Sequence, residues 1–511
     1  MDGQRSYNAA VDLIDRNLAA RPDKIAYIDE QGSYSFADLA KRVNRAANAL
    51  TDLGLPTESR VMLALLDTID FPAVFLGAVK AGLVPIAVNT LLTSNDYDFM
   101  LRDSRAQGLI VSAPLLPVFK AILGDQPFVK HVVVSGANES AHPLLTDLLA
   151  HASSEFTAAP TRADDPCFWL YSSGSTGTPK GVVHVQSSMS KTAELYAHPI
   201  LGIQESDVVF SAAKLFFAYG LGNALSFPLS VGATTILLSE RPTPQSVCRI
   251  LQEYRPTIFY GVPTLYSALL ASGALPKREA SRLRRCTSAG EALPPDVGRR
   301  WFEHFGVDIL DGLGSTEMLH IFLSNRPDAN RYGTSGTPVP GYQIRLLDEE
   351  GKAVAKGDLG ELHVNGPTSA ACYWNNREKS RNTFIGPWTK SGDKYIESED
   401  GYFTYGGRAD DMLKVSGIWV SPFEVESALG SHAAVLEAAV VGHADDNGLI
   451  KPKAFVVLRS DTPQSTELAA ALQQHVKGRL APYKYPRWIE FVAELPKTAT
   501  GKIQRFKLRV K

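Results

Sequence analysis

The sequence predicts an α/β protein: a large N-terminal domain of layered α/β subdomains, then a small α+β C-terminal domain. Three observations predict it. Short β-branched or apolar runs alternate with amphipathic stretches along most of the chain, the pattern of strands and the helices that cover them. Several of these runs lead directly into polar, glycine-bearing segments, which puts the segments at the carboxyl ends of strands, where α/β folds bind ligands. Finally, 511 residues exceed what one hydrophobic core usually supports, and the composition turns glycine- and charge-rich near residue 405.

The elements follow in order. Ala10, Leu13, Ile14 and Leu18 recur at three- and four-residue steps and predict a helix ending before Arg21 and Pro22. Residues 60–64, 108–112, 130–134 and 257–260 are β-branched runs of strand length and predict strands in largely parallel sheets. The most apolar stretch, residues 71–88, contains Lys80, Gly82 and Pro85, so it is expected in the core and not across a membrane. Residues 168–170, 208–210, 258–260 and 307–310 are apolar runs, each feeding a polar motif. Residues 405–411 suit a linker. Beyond it the pattern predicts helices at 422–430 and near 465–480, with strands at 438–441 and 454–458. The expected domains are therefore 1–409 and 410–511.

A net charge of −2 gives no electrostatic reason to expect nucleic acid or a membrane surface. Cys167, Cys248, Cys286 and Cys372 are far apart, with no C-x-x-C pair, so neither disulfides nor a zinc site is expected. The N-terminus is polar and mixed in charge, unlike a signal peptide, and the expected location is cytoplasmic. A monomer or a homodimer fits equally well.

Residues 171–181 hold the densest chemistry. Ser172, Ser173, Gly174, Ser175, Thr176 and Gly177 lead to Lys180 and Gly181, directly after the apolar run 167–170. Glycines let a backbone approach an anion closely, hydroxyls and free N–H groups donate to oxyanions, and Lys180 adds positive charge. This is a phosphate-gripping run, and its spacing is not that of a Walker A loop.

The run resembles the signature loop of the adenylate-forming superfamily, which includes acyl- and aryl-CoA ligases, luciferases and peptide-synthetase adenylation domains. Further motifs resemble the family's in the same order, from about residue 170 to the C-terminus: 260–263, 288–292, 314–317, 391–393, 406–411 and 496–502. The resemblance implies an acid–thiol ligase that uses ATP, Mg²⁺ and coenzyme A. It places the residues 172–177 and Lys180 on the β- and γ-phosphates, Thr316 on the α-phosphate, and Glu317 on Mg²⁺. Gly290, Glu291 and Ala292 would lie along the adenine, with Asp311, Gly312, Leu313 and Gly314 completing the nucleotide site. Leu313 departs from the family, which usually has an aromatic ring there. Asp393 and Arg408 would hold the ribose hydroxyls. Lys502 would reach the acyl carboxylate and α-phosphate, carried by a C-terminal lid that turns about Asp410. Lys414, Ser416, Gly417 and Trp419 would then line a pantetheine tunnel.

For the acid, Lys214, Phe216, Ala218, Tyr219 and Gly220 fall at the family's acyl-pocket motif, and His320 and Ile321 follow the Mg²⁺ glutamate. Together they predict a flat apolar pocket lined by rings. The stretches 211–222 and 315–324 closely resemble benzoate–CoA ligases, which implies an aromatic acid, with benzoate favoured. Hydroxybenzoate ligases share much of the pattern. Other acyl-CoA ligases and a non-catalytic nucleotide-binding protein are the competing readings. The chain stops at Lys511 with no carrier domain, so free coenzyme A is the expected acceptor.

Overall fold

The computed structural model describes residues 6–137, 141–173, 179–408, 411–415, 418–445, 449–459, 462–497 and 503–509. Two large sheets organise the N-terminal part. The first has nine strands. Its parallel centre runs Ile309–Gly314, Arg285–Ser288, Ile258–Gly261, Val208–Ser211, Thr234–Ile236, Ile25–Asp29, with antiparallel strands at both edges. The second has seven strands, in the order Cys372–Tyr373, Pro179–Val185, Pro166–Ser173, Val84–Ala87, Arg60–Ala64, Gly108–Ser112, His131–Ser135. The last five of these run parallel. The expected strands at 60–64, 108–112, 130–134 and 257–260 are present to within a residue.

The early helical periodicity also holds, as Val11–Asp15 continues into Arg16–Ala20. Residues 71–88 form the helix Asp70–Lys80 and the strand Val84–Ala87, almost wholly buried. Lys80 can lie in this core because its ammonium is 3.0 Å from Asp15 Oδ1 and 2.9 Å from Asn44 Oδ1. A buried cation is tolerated when it is paired and hydrogen-bonded.

Three expectations need correction. The sheets are not all largely parallel. A third sheet of five strands, built from residues 343–408, is antiparallel throughout. The expected linker is partly one of its strands: Phe403–Arg408 pairs with Trp388–Glu397, aligning Arg408 with Asp393. Its glycines fit a strand because Gly406 packs tightly against the partner backbone, where a Cβ would lie 3.0 Å from Lys394 O. Finally, the polar motifs do not all leave one set of strands. The phosphate-gripping run joins two antiparallel strands of the seven-stranded sheet, while the motifs after 210, 260, 288 and 310 belong to the nine-stranded one.

The C-terminal part has its own core. Val435–Ala444 and Ile450–Leu458 pair antiparallel, covered by the helices Pro422–Gly430 and Thr466–Lys477, as the pattern predicts. The strand Trp488–Phe491, parallel to Ile450–Leu458, completes the sheet and was not expected.

Candidate active site

The phosphate-gripping run is approached along two paired strands, Pro166–Ser173 and Pro179–Val185, with Ser172 opposite Lys180 and Ser173 opposite Pro179. Gly174, Ser175, Thr176 and Gly177 lie outside the described residues, as does the side chain of Ser173. Lys180 Nζ lies 5.2 Å from the centroid of the Tyr373 ring.

Thr316 and Glu317 occupy the turn joining the antiparallel strands Ile309–Gly314 and Ile321–Ser324. Asp311 to Gly314, expected as a loop, extend the first strand; the chain turns only at Ser315. Two features hold the turn. His184 Nε2 lies 2.8 Å from Thr316 O, and because a carbonyl only accepts, this nitrogen carries the proton. Burial pushes His184 down to about 4, so the ring is neutral at pH 7. Leu319 closes the turn at φ 66°, a left-handed conformation that a leucine adopts only under constraint. Glu317 Oε1 accepts from the Tyr373 hydroxyl at 2.7 Å. Lys180, Tyr373 and Glu317 thus form one cluster although they come from distant parts of the chain.

Asp393 and Arg408 face each other across the antiparallel sheet, with Arg408 Nη1 3.2 Å from Asp393 Oδ1. Gly290, Glu291 and Ala292 follow the strand Arg285–Ser288, and the next residue, Leu293, donates its N–H to Asp311 Oδ2 at 3.3 Å. Asp311 is 5% exposed, and burial raises its carboxyl to about 8, against the opposing pull of that N–H.

The acyl-side residues fall in two hydrophobic clusters, Phe216 in one and Tyr219 and Ile321 in the other. Phe216 is buried edge-on to Phe217, with ring centroids 4.4 Å apart. Tyr219 shares a 2.5 Å hydrogen bond with Thr287 Oγ1. His320 is 2% exposed among the rings of Tyr196, Tyr219 and Phe227. Its Nε2 lies 3.1 Å from Asn223 Oδ1 and 3.3 Å from Tyr219 O, and burial lowers it to about 3. Ile321 is buried beside it. The Lys214 ammonium reaches the carbonyl of Leu238 and lies 4.0 Å from Asp67 Oδ2, so its charge is engaged by protein groups. Ala218 and Gly220 fall in the short helix Ala218–Leu221, where the backbone doubles back so tightly that a Cβ on Gly220 would lie 2.0 Å from Lys214 O. Glycine is needed there by close approach and not by an unusual φ.

Asp410, Ser416, Gly417 and Lys502 lie outside the described residues, as do the side chains of Lys414 and Trp419. Two residues beside the site went unnoticed in the sequence. His184 interrupts the apolar run 182–185 of the strand Pro179–Val185, a signal of a buried hydrogen bond. Tyr373 carries no signal of its own, since only the sheet pairing brings it to Glu317.

Among the described residues no three His, Cys, Asp or Glu side chains are grouped to hold a metal. Glu317 alone fits a Mg²⁺ that takes its remaining ligands from phosphate oxygens and water, the usual manner of this ion. No helix among the described residues is long and apolar enough to cross a membrane.

The chain belongs to the AMP-binding enzymes: the AMP-binding enzyme family matches residues 14–374, and the AMP-binding enzyme C-terminal domain matches residues 424–502. Among its relatives, a benzoate–CoA ligase of Thauera aromatica is 63% identical over 506 residues, 98% of this chain and 96% of that one. A 4-hydroxybenzoate–CoA/benzoate–CoA ligase of Rhodopseudomonas palustris is 51% identical, over 99% of this chain and 94% of that one. The crystal structure of a benzoate CoA ligase from Burkholderia xenovorans superposes with a TM-score of 0.93 at 54% identity, covering 99% of this chain and all of that one.

Proposed function

We propose that the protein is an AMP-forming acid–thiol ligase that activates an aromatic carboxylate, benzoate first, and transfers the acyl group to coenzyme A. The likeness to benzoate–CoA ligases along nearly the whole chain supports the reaction. The observation that carries benzoate is the state of the polar atoms in the acyl wall: the Tyr219 hydroxyl is bonded to Thr287 and His320 Nε2 to Asn223. Such a wall offers a ring stacking and edge contacts but few polar handles. One observation favours hydroxybenzoate as a second reading: His320 Nδ1 is buried without a partner among the described residues and could accept from a ring hydroxyl.

In the first step the acid carboxylate attacks the α-phosphorus, the bond to the bridging oxygen breaks, and pyrophosphate leaves. Ser172, Ser173, Gly174, Ser175, Thr176, Gly177 and Lys180 hold the β- and γ-phosphates, and Thr316 donates to the α-phosphate. Gly290, Glu291, Ala292, Asp311, Gly312, Leu313 and Gly314 bound the adenine, while Asp393 and Arg408 fix the ribose. Mg²⁺, held by Glu317, would neutralise phosphate charge. Lys502 spans the carboxylate and α-phosphate, where fixed positive charge acts on developing negative charge.

In the second step the coenzyme A thiolate attacks the acyl carbon and AMP leaves with the electron pair of the broken C–O bond. We assign 1–409 to the AMP-binding domain and 410–511 to a lid that turns about Asp410, removing Lys502 and bringing Lys414, Ser416, Gly417 and Trp419 to the thiol's path. Lys214, Phe216, Ala218, Tyr219, Gly220, His320 and Ile321 shape the acyl pocket.

AMP release from ATP and Mg²⁺, with and without coenzyme A, tests the reading across benzoate, 4-hydroxybenzoate, 2-methylbenzoate and octanoate. Coenzyme-A-dependent AMP with benzoate leading is expected. Octanoate leading would overturn the aromatic pocket, and 4-hydroxybenzoate leading would favour the second reading.

A further inference from the structure

Residues 368–374 cross between the two halves of the nucleotide side and touch both. Thr368 Oγ1 donates to Met318 O at 2.8 Å, and Ala370 N–H donates to Glu317 O at 2.8 Å. Cys372–Tyr373 then pairs as an edge strand with Pro179–Val185, and Trp374 N–H donates to Gly181 O at 2.8 Å. The segment is therefore stapled at one end to the Thr316–Glu317 turn and at the other to the strand that carries Lys180. Tyr373 sits at the crossing point, 4% exposed, its hydroxyl on Glu317 Oε1 and its ring 5.2 Å from Lys180 Nζ. Packing on Phe384, at 5.3 Å between centroids, and a 3.0 Å hydrogen bond from its N–H to Ser380 Oγ fix the residue from behind.

We propose that Tyr373 is a positioning residue that orients the Glu317 carboxylate for the cation of a metal–nucleotide complex and sets its spacing from Lys180. The proposal rests on the assignment of Glu317 to the metal given above. A phenol O–H uses one of the roughly four acceptor sites of a carboxylate, so the group can be held and still ligate. Hydrogen-bond donors to metal-ligating carboxylates fix their orientation, and loss of one typically weakens metal binding or activity about 10- to 100-fold. Nothing in the segment needs to touch acid or coenzyme A, so the effect should be confined to the metal–nucleotide.

The test is equilibrium binding of ATP by calorimetry to the full chain, with and without Mg²⁺ and with no acid present. In the unaltered protein Mg²⁺ should strengthen ATP binding. Tyr373→Phe keeps the ring beneath Lys180 and removes only the hydroxyl. It should reduce that strengthening about 10-fold or more while metal-free ATP binding stays as it was. Glu317→Gln should abolish the strengthening, and adding Tyr373→Phe to it should change nothing further, because two residues acting through one interaction are not additive. A Tyr373→Phe protein with unaltered Mg²⁺ dependence would overturn the proposal. So would effects of the two substitutions that simply add, or an unaltered protein whose ATP affinity ignores Mg²⁺. Benzoate turnover plays no part in this readout, so a wrong acid would leave the inference standing, and a wrong inference would leave the acid untouched.

Discussion

The nucleotide side and the acyl side of the candidate site differ in how much close packing adds to side-chain hydrogen bonds. On the nucleotide side the charged groups are oriented by side chains: Glu317 by Tyr373, and Asp393 and Arg408 by each other. On the acyl side close backbone approach and buried rings add to the hydrogen bonds of Tyr219 and His320, with Gly220 against Lys214 O and Gly222 so close to His320 that a Cβ would lie 2.4 Å from its Cδ2. The difference separates two kinds of control. On the proposed assignment, chemistry on the nucleotide side resides in individual side chains, so a substitution there should alter rate with little change in which acid is used. On the same assignment, selectivity on the acyl side resides in shape, so a substitution there should alter the acid and spare ATP.

The largest expected effect lies on the side-chain half. Lys502→Ala should slow adenylation by about 10²–10³, the cost of losing one donor to a developing charge. Thioester formation from supplied benzoyl-adenylate should survive, and single-turnover assays of the two half-reactions read this directly. Equal loss in both would remove Lys502 from the first step. The sharpest probe of the shape half is Gly220→Ala. Its new Cβ would meet two backbone oxygens, Lys214 O at 2.0 Å and Ala213 O at 2.5 Å, and neither can rotate away. Such overpacking typically costs about 1–3 kcal/mol. We expect kcat/KM for benzoate to fall and that for 2-methylbenzoate to fall further, with KM for ATP unchanged. A parallel rise in KM for ATP would erase the distinction between the two sides.

How much of this was legible in the sequence follows the same division. Apolar runs of strand length, such as 108–112 and 258–260, declared themselves because burial on both faces selects β-branched residues. Glycine-rich motifs pointed to phosphate because glycine and hydroxyl content is itself the chemistry. Register was not legible. Nothing local to Phe403–Arg408 announces that it pairs with Trp388–Glu397, so the first four of seven residues that suit a linker belong to a strand aligning Arg408 with Asp393. Tyr373 was missed for the same reason: its role depends on an edge pairing with residues almost two hundred positions away. The acyl residues were recognisable by type, yet not the hydrogen bonds that engage Tyr219, Lys214 and His320, and these bear on which ring substituent the pocket admits.

His184 and His320 answer to pH in the opposite sense to Asp311. His184 on the nucleotide side and His320 on the acyl side are lowered from 6.5 to about 4 and about 3 by burial. Each contributes stability that is present above pH 6.5 and lost as pH falls through its folded value, because the unfolded chain binds the extra protons. Asp311 is raised from 3.8 to about 8, so its contribution is full below pH 3.8 and is lost as pH rises through 8. Between pH 3.8 and 8 the Asp311 contribution falls with a limiting slope of about 1.4 kcal/mol per pH unit, and the histidine contributions are common to any protein altered only at Asp311. Asp311→Asn should therefore gain in Tm on the unaltered protein across that window. A gap that stays constant with pH would mean that Asp311 is ionised throughout.

The smallest effect is the most informative about the acid. Tyr219→Phe removes the hydroxyl bonded to Thr287 and leaves the ring in place. Losing one neutral hydrogen bond of this kind costs about 1 kcal/mol, with a matching fall in Tm. Because the hydroxyl is engaged by protein and not reserved for substrate, the preference for benzoate over 4-hydroxybenzoate should move by less than about fivefold, the equivalent of that one bond. If instead turnover of 4-hydroxybenzoate collapses while benzoate is spared, the hydroxyl must release Thr287 to meet the substrate. The acyl wall would then share the nucleotide side's reliance on individual polar side chains, and shape would no longer account for selectivity alone.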